Sequence, residues 1–116
     1  MRDDQGTDGE REIERVLGGD PEALDRWFRV EHPRVWRLCF GFVADAEEAD
    51  DLAQDAMLRL HDRLPGWDRD RPWRQWRNSV VLNLCRDRLR RRAARDRAET
   101  RAAEELEDEA RGVDHE

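Results

Sequence analysis

The chain contains no lysine, so all 22 of its basic residues are arginines. The guanidinium of arginine is planar, stacks on rings and matches the geometry of phosphate, which suits contacts with nucleic acid. A genome rich in GC codons explains the same bias equally well. The chain has only two cysteines, Cys39 and Cys85, and they have no Cys-x-x-Cys or metal-ligand spacing. Both lie in apolar surroundings, and we expect two reduced core residues in a cytosolic protein.

Long apolar runs are absent as well, since no stretch approaches the roughly 18 residues that a membrane-spanning helix needs. The N-terminus is polar and acidic, so we expect neither a membrane span nor a secretory signal. The three histidines, His32, His61 and His115, form no metal-ligand spacing with one another or with carboxylates. The sequence shows no nucleophile–base pair, glycine-rich phosphate loop or catalytic carboxylate pair. We expect no enzyme, no metal and no cofactor. Only stoichiometric zinc or iron in the purified protein would revive the hypothesis of a helical enzyme or metal protein.

Apolar residues are scarce, at 37% of the 116 residues, whereas 44% are charged. An average globular chain has roughly 45–50% apolar residues, so this one is predicted to form one domain with a small core. The net charge of −7 hides a segregation along the chain: residues 1–68 carry −9, residues 69–97 carry +8 and residues 98–116 carry −6. This pattern predicts a basic surface for an anionic partner and an acidic surface for another partner.

Apolar residues recur at helical spacing along most of the chain, without strand-like alternation or internal repeats. We predict an all-α fold, a small bundle of four to five helices with disordered termini. Residues 1–9 are polar and are predicted to be disordered. The helical domain is predicted to span 10–97, and residues 98–116 form an acidic linker or tail that is frayed or solvated.

The first helix, from Glu10 to Leu17, is predicted to end at two glycines, and Asp20-Pro21 signals the next helix start. The face of that second helix comprises Ala23, Leu24, Trp27, Phe28 and Glu31, all apolar except the last. His32-Pro33 predicts a break, because the residue before a proline avoids the helical region. A further helical segment then carries Val35, Trp36, Leu38, Cys39, Phe42 and Val43.

Asp45 begins the clearest amphipathic helix, because Asp45 and Glu48 have the spacing of a capping box. Its apolar face comprises Ala49, Leu52, Ala53, Ala56, Met57, Leu60 and Leu64. Its other side carries Glu47, Glu48, Asp50, Asp51, Gln54 and Asp55. Pro65 is predicted to end it.

The stretch from Pro65 to Arg92 begins with turn signals and continues as a helix, with Asp70 as the expected N-cap and Pro72 in the first turn. Two apolar stripes predict that this helix packs between neighbours. Trp73 and Trp76 belong to one stripe and are expected in the core. The polar side comprises Gln75, Ser79, Asn83, Arg86 and Arg90.

Three tryptophans and several arginines lie close to that loop–helix junction. Aromatic rings beside guanidinium groups are typical of surfaces that hold unstacked bases and their phosphates. Trp67 lies outside any periodic face, so it either stacks a base or covers the edge of the core. The arginine run at 90–92 either binds phosphate or only complements the helix dipole.

Residues 49–60, ADDLAQDAMLRL, resemble the segment A-E-D-L-x-Q-E-x-F-L-R-L of bacterial sigma factors of the sigma-70 family, most closely the extracytoplasmic-function (ECF) type. Residues 73–92, WRQWRNSVVLNLCRDRLRRR, are similar to that family's F-R-T-W-L-x-x-I-A-x-N-L-x-x-D-x-L-R-R-R. Residues 18–24 and 33–38 also resemble its opening helices. The resemblance runs in order from Ile13 to Arg92.

The resemblance implies a helical sigma region 2 domain with two functional faces. The helix matching 46–64 would dock on the β′ clamp helices of core RNA polymerase, with Asp50, Asp51, Gln54 and Asp55 as polar contacts. The loop matching 66–71 and the next helix would recognise the promoter −10 element and hold its melted non-template strand, with one base flipped out.

The residue chemistry agrees with a DNA-binding role. Stacking on an aromatic ring is worth roughly 1–3 kcal/mol per base, which offsets the cost of flipping a base out. Trp67 is the candidate platform. Candidates for base edges are Gln75, Ser79, Asn83 and Arg86. Candidates for phosphates, which position the strand without reading it, are Arg69, Arg71, Arg74, Arg77, Arg90, Arg91 and Arg92.

The sequence departs from the family pattern at Arg77, where leucine is usual, at Val81 in place of alanine, and at His61 in place of an aromatic residue. Arg77 lies at the seam between the two stripes; it either reaches solvent or marks a lost core contact. A complete ECF sigma factor also has a region 4 that reads the −35 element, and residues 98–116 resemble the linker to it. The chain is either an excised piece or a one-domain relative.

Two hypotheses follow. The first is a sigma factor domain for transcription initiation that binds core polymerase and recognises and melts the −10 element. The alternative is an interaction protein that occupies the polymerase clamp or an anti-sigma factor without initiating transcription.

Overall fold

Four α-helices make up the structure, a computed structural model that describes residues 9–114. They are α1 (Gly9–Leu17), α2 (Pro21–Val43), α3 (Ala46–Arg63) and α4 (Trp73–Asp114), and a 3₁₀ turn over Leu64–Gly66 follows α3. The described residues contain no strand, and the predicted all-α class is confirmed. The predicted N-terminal disorder lies outside the described residues except at Gly9, as does His115.

The turn between α1 and α2 forms as the sequence predicts. Asp20 is the N-cap of α2, and its carboxylate accepts hydrogen bonds from the backbone N–H groups of Glu22 and Ala23 at 3.0 and 3.4 Å. Gly19 has a φ of +87°, a left-handed conformation that favours glycine. Glu12 of α1 then accepts from Arg26 of α2 at 2.7 Å. That hydrogen bond raises the pKa of the Arg26 guanidinium.

The predicted break at His32-Pro33 is wrong, because α2 continues through Pro33. A proline inside a helix removes one backbone hydrogen bond and crowds the preceding turn, at a cost of about 3 kcal/mol. Pro33 is exposed, whereas Trp27 and Val35 on either side of it are buried on the core face of α2. Burial of that continuous face offsets the local cost.

The connection between α2 and α3 also follows from its sequence. Ala44 has a φ of 53° and donates its backbone N–H to the carbonyl of Phe40 at 2.8 Å, which closes α2. Asp45 is the predicted N-cap of α3 and accepts from the backbone N–H groups of Glu47 and Glu48 at 2.9 and 3.2 Å. A two-residue connection therefore lets α3 begin directly after α2 ends.

One hydrophobic cluster joins α1, α2, α3 and the first turns of α4. Its largest fully buried members include Ile13, Leu52, Met57, Leu60 and Leu64. Both cysteines are also fully buried and neither forms a disulfide, as expected for small core residues.

The described part of the chain divides into two compact units, one ending at Cys85 and the other beginning at Arg86. The core described above belongs to the first unit. Within the second, every side chain from Ala93 to Gly112 is exposed, and the helix continues to Asp114. The domain boundary predicted at residue 97 stays a prediction. None of the helices in residues 9–114 is long and apolar enough to cross a bilayer.

Candidate functional site

The exposed side of α3 carries the four predicted polar contacts together. Asp50, Asp51, Gln54 and Asp55 are all exposed, and we call them the acidic face. The opposite side of α3 packs into the core through Leu52, Ala53, Ala56, Met57 and Leu60. Helical periodicity alone accounts for this separation, because residues three and four apart share one side of a helix.

Two aromatic side chains of α2 lie beside the acidic face. The indole N–H of Trp36 donates to Oδ1 of Asp50 at 2.7 Å, which orients that carboxylate. Trp36 stacks on Phe40 with ring centroids 5.0 Å apart and an interplanar angle of 13°. Phe40 is 40% exposed. The predicted apolar period includes Trp36 but not Phe40, and nothing in that pattern indicates that Trp36 holds Asp50.

Leu58 adds an apolar group to the acidic face. It follows Gln54 by four residues and Asp55 by three, so it lies on the same side of α3, and it is 58% exposed. Single exposed leucines are ordinary. Its position among carboxylates nevertheless gives this side of α3 the mixed apolar and charged character of a protein-binding surface.

The loop between α3 and α4 is held by its own polar groups. Asp68 accepts the backbone N–H of Asp70 on its side chain and that of Arg71 on its carbonyl, both at 2.9 Å. The predicted N-cap at Asp70 is wrong: α4 begins at Trp73, and Pro72 supplies the carbonyl that accepts from the N–H of Trp76. Asp70 instead belongs to the turn that Asp68 closes.

Trp67 lies in the core rather than on an open surface. It is 5% exposed, and its indole N–H donates to the carbonyl of Arg71 at 3.1 Å. Its ring meets Trp73 edge-on at a centroid distance of 5.3 Å. Of the two roles that the sequence leaves open for Trp67, the geometry is that of a residue covering the core edge. Trp73 is buried and Trp76 packs partly buried against the same cluster.

The loop arginines surround that tryptophan. The guanidinium carbon of Arg69 lies 5.1 Å from the centre of the Trp67 ring, within the range of a cation–π contact. Arg69 also lies 3.9 Å from a carboxylate oxygen of Glu14. Arg71 donates to Oγ of Ser79 at 3.5 Å, which ties the loop to α4. We call Arg69, Arg71 and Arg74, all exposed, the arginine corner.

The predicted base-edge candidates of the first unit lie on α4. Gln75 and Asn83 are exposed, and Ser79 is half-buried. In the second unit, Arg86, Arg90 and Arg91 are exposed, and Arg90 pairs with Asp87 at 2.9 Å.

Arg77, also a predicted DNA-binding candidate, differs from the other arginines of that set because its side chain is buried. It is 6% exposed, and its Nη1 lies 2.8 Å from Oε1 of Glu31 in α2, which is 5% exposed. The arginine thus fills a core position with an ion pair. Arg34, on the rim, lies 3.6 Å from the other oxygen of Glu31. Burial of a charge requires such partners.

Sequence reasoning missed three residues of this region. Glu31 is the polar member of an otherwise apolar helical face, and that mismatch was the signal for a buried ion pair. Asn78, half-buried, accepts from Nε of Arg77 at 3.1 Å. Trp27 is buried, and its indole nitrogen has no hydrogen-bond partner in the described part of the chain.

Among the residues that the structure describes, no group of three or more histidine, cysteine or carboxylate residues is arranged to hold a metal ion.

Comparison with known proteins identifies the family. The sigma-70 region 2 family matches residues 27–95. This chain belongs to the sigma-70 region 2 family. It is 38% identical over 78 residues to the ECF RNA polymerase sigma factor SigM of Mycobacterium tuberculosis, covering 67% of the chain and 40% of that protein.

Two further relatives are also sigma factors, and one of them is of the ECF type. The chain is 27% identical over 82 residues to the ECF RNA polymerase sigma factor SigW of Bacillus subtilis, covering 71% of the chain and 44% of that protein. It is 30% identical over 95 residues to the RNA polymerase sigma-H factor of Pseudomonas aeruginosa, covering 82% of the chain and 49% of that protein. The chain therefore spans less than half the length of each of these relatives.

Proposed function

We propose that this sigma region 2 domain acts in transcription initiation by binding core RNA polymerase and holding the promoter −10 element as an opened strand. The observation that carries the proposal is the separation of two surfaces on one small core. The acidic face lies on α3, and the arginine corner lies on the loop and first turn of α4.

The acidic face suits a basic, partly apolar protein surface such as the β′ clamp helices. Its carboxylates supply charge complementarity, which mainly sets association rate and specificity. Leu58 and the Trp36–Phe40 pair add apolar contact area beside them. Asp50 is already oriented by Trp36, so less side-chain freedom is lost on binding.

The arginine corner suits the backbone and unstacked bases of a single strand. Arg69 lies over the Trp67 ring while Trp67 itself is buried, so the planar group that faces solvent here is the guanidinium of Arg69. Guanidinium planes stack on bases as aromatic rings do. Arg71 and Arg74 then meet phosphates, and Gln75, Ser79 and Asn83 offer hydrogen bonds to base edges.

The test is transcription with core RNA polymerase on a template that carries a −10 element. The proposal expects a product that depends on this chain. Competition with another sigma factor without any product would contradict initiation and support a protein that only occupies the clamp. The Asp51→Asn/Asp55→Asn variant, titrated against core enzyme, should bind more weakly than the unmodified chain, because two charges of the acidic face are lost.

The matched control removes two exposed charges elsewhere, with Glu22→Gln/Asp25→Asn on the first turns of α2. Core binding by the control should equal that of the unmodified chain. Equal weakening by both pairs would mean that only net charge matters and that α3 is not the docking surface.

A further inference from the structure

The buried arginine of α4 is linked to a neighbour that reaches the surface. Arg77 contacts Glu31 at 2.8 Å through Nη1, and its Nε donates to Oδ1 of Asn78 at 3.1 Å. Glu31 and Arg77 are both more than nine-tenths buried, whereas Asn78 is half-buried. The buried ion pair thus holds the side chain of Asn78 at the edge of the core.

The chemistry of this contact fixes which way the amide of Asn78 is oriented. A guanidinium carries only donors, so the atom of Asn78 that it contacts must be the oxygen. The NH₂ group therefore lies on the opposite side of the amide carbon from Arg77. An exposed asparagine would turn freely, but this one has its oxygen engaged.

Asn78 also has a suitable position. It follows Gln75 by three residues and precedes Ser79 directly, so it borders the polar side of α4 that contains both. Ser79 in turn accepts from Arg71 of the loop. The NH₂ group of Asn78 therefore lies beside the candidate base contacts.

We infer that Asn78 is a specificity-determining residue that donates to a base of the opened strand, and that Glu31 and Arg77 are positioning residues that orient it. The inference rests on the proposed function of holding a −10 strand. It gives the buried ion pair a role in base recognition in addition to its packing.

The orientation of the amide predicts which bases Asn78 favours. Asparagine recognises adenine by accepting from its amino group and donating to N7. The oxygen of Asn78 retains a second lone pair but lies on the side of Arg77, so the group on the opposite side, which we expect to meet the base, is the NH₂ donor. The keto bases guanine and thymine present acceptor oxygens, whereas adenine and cytosine present amino donors at the equivalent position. We therefore expect a preference for guanine or thymine at one position.

The test uses holoenzyme assembled from the full chain and core RNA polymerase. The probe is a pool of partly single-stranded DNA with a randomised non-template −10 region, and sequencing of the bound fraction gives the base preference at each position. Asn78→Ala should lower the preference for keto bases about three- to tenfold at one position only, as expected for one hydrogen bond. Asn78→Asp, which offers only acceptors at neutral pH, should abolish or invert that preference.

The positioning role is tested by replacing the ion pair as a unit. Glu31→Met/Arg77→Leu removes both charges together, which avoids leaving one buried and unpaired. This variant should lose the same preference at the same position, and it should have no further effect in an Asn78→Ala background. Glu22→Gln serves as the control, and its preference profile should match that of the unmodified chain.

Four outcomes would overturn the inference. An unchanged profile for Asn78→Ala, in a holoenzyme that does discriminate among bases, would exclude base reading by Asn78 and leave the proposed function standing. Loss of an adenine preference would show that the amide is oriented the other way. An equal effect of the paired replacement with and without Asn78 would exclude action through Asn78. A holoenzyme without any base preference would contradict the proposed function as well.

Discussion

Substitution of Glu31 by glutamine should destabilise the domain more than any single change on its surface. The change keeps the size of the side chain but removes the charge that lies 2.8 Å from Arg77. Arg77 is 6% exposed, so water does not replace the lost partner. Breaking a buried pair from one side typically costs about 3–5 kcal/mol. A domain of this size is stable by only about 5–15 kcal/mol in total.

The paired replacement Glu31→Met/Arg77→Leu should behave differently. Removing both charges eliminates the desolvation cost as well as the attraction, so the stability should stay within about 1 kcal/mol of the original. Asp25→Asn is the matched control, because it breaks the ion pair of Asp25 with Arg29, where both side chains are mostly exposed. Exposed pairs are worth about 0.2–1 kcal/mol.

Urea denaturation followed by tryptophan fluorescence measures these differences in the free energy of unfolding, and it reports on the compact unit that contains the ion pair. All five tryptophans lie between residues 27 and 76, inside the first compact unit. A cost below about 1 kcal/mol for Glu31→Gln, or an equal cost for the single and the paired replacement, would refute the reasoning that the pair is buried and mutually dependent.

Three further changes test the packing. Trp67→Phe keeps a buried ring but removes the N–H that donates to the carbonyl of Arg71, so urea denaturation should show a loss of about 1 kcal/mol. Trp67→Ala should cost about 3–5 kcal/mol in the same assay; an unchanged stability with lost DNA binding would instead favour an exposed stacking role. Asp45→Ala removes the N-cap of α3, and thermal denaturation should show a loss of about 0.5–2 kcal/mol, whereas no loss would mean that the cap is dispensable.

Local rules of helix formation account for most of what the sequence predicts correctly. Asp20 and Asp45 cap helices as their spacing indicates, because a carboxylate beside free backbone N–H groups acts over only a few residues. The buried and acidic sides of α3 are likewise a local property, because residues three and four apart share one side of a helix.

Tertiary packing decides the points that local patterns predict wrongly or leave open. Pro33 disfavours a helix locally, but burial of a long face of α2 on both sides of it keeps the helix continuous. Trp67 has no periodic neighbours, and only the fold shows that its ring lies against Trp73. Arg77 sits at the seam of two apolar stripes, and its partner Glu31 lies 46 residues earlier in the chain. A pattern in one helix cannot identify such a partner.

The salt dependence of DNA binding by holoenzyme tests the division of labour between the two surfaces most directly. The comparison is between Arg71→Ala/Arg74→Ala in the arginine corner and Arg29→Ala/Arg37→Ala, two exposed arginines of α2, measured on single-stranded −10 DNA. Each lost phosphate contact should flatten the slope of log K against log salt by about 0.7. The slope for the first pair should be flatter by about 1.4, with unchanged binding of core polymerase, and the slope for the second pair should not change. An unchanged slope for the first pair, or weakened binding of core polymerase by it, would contradict the account.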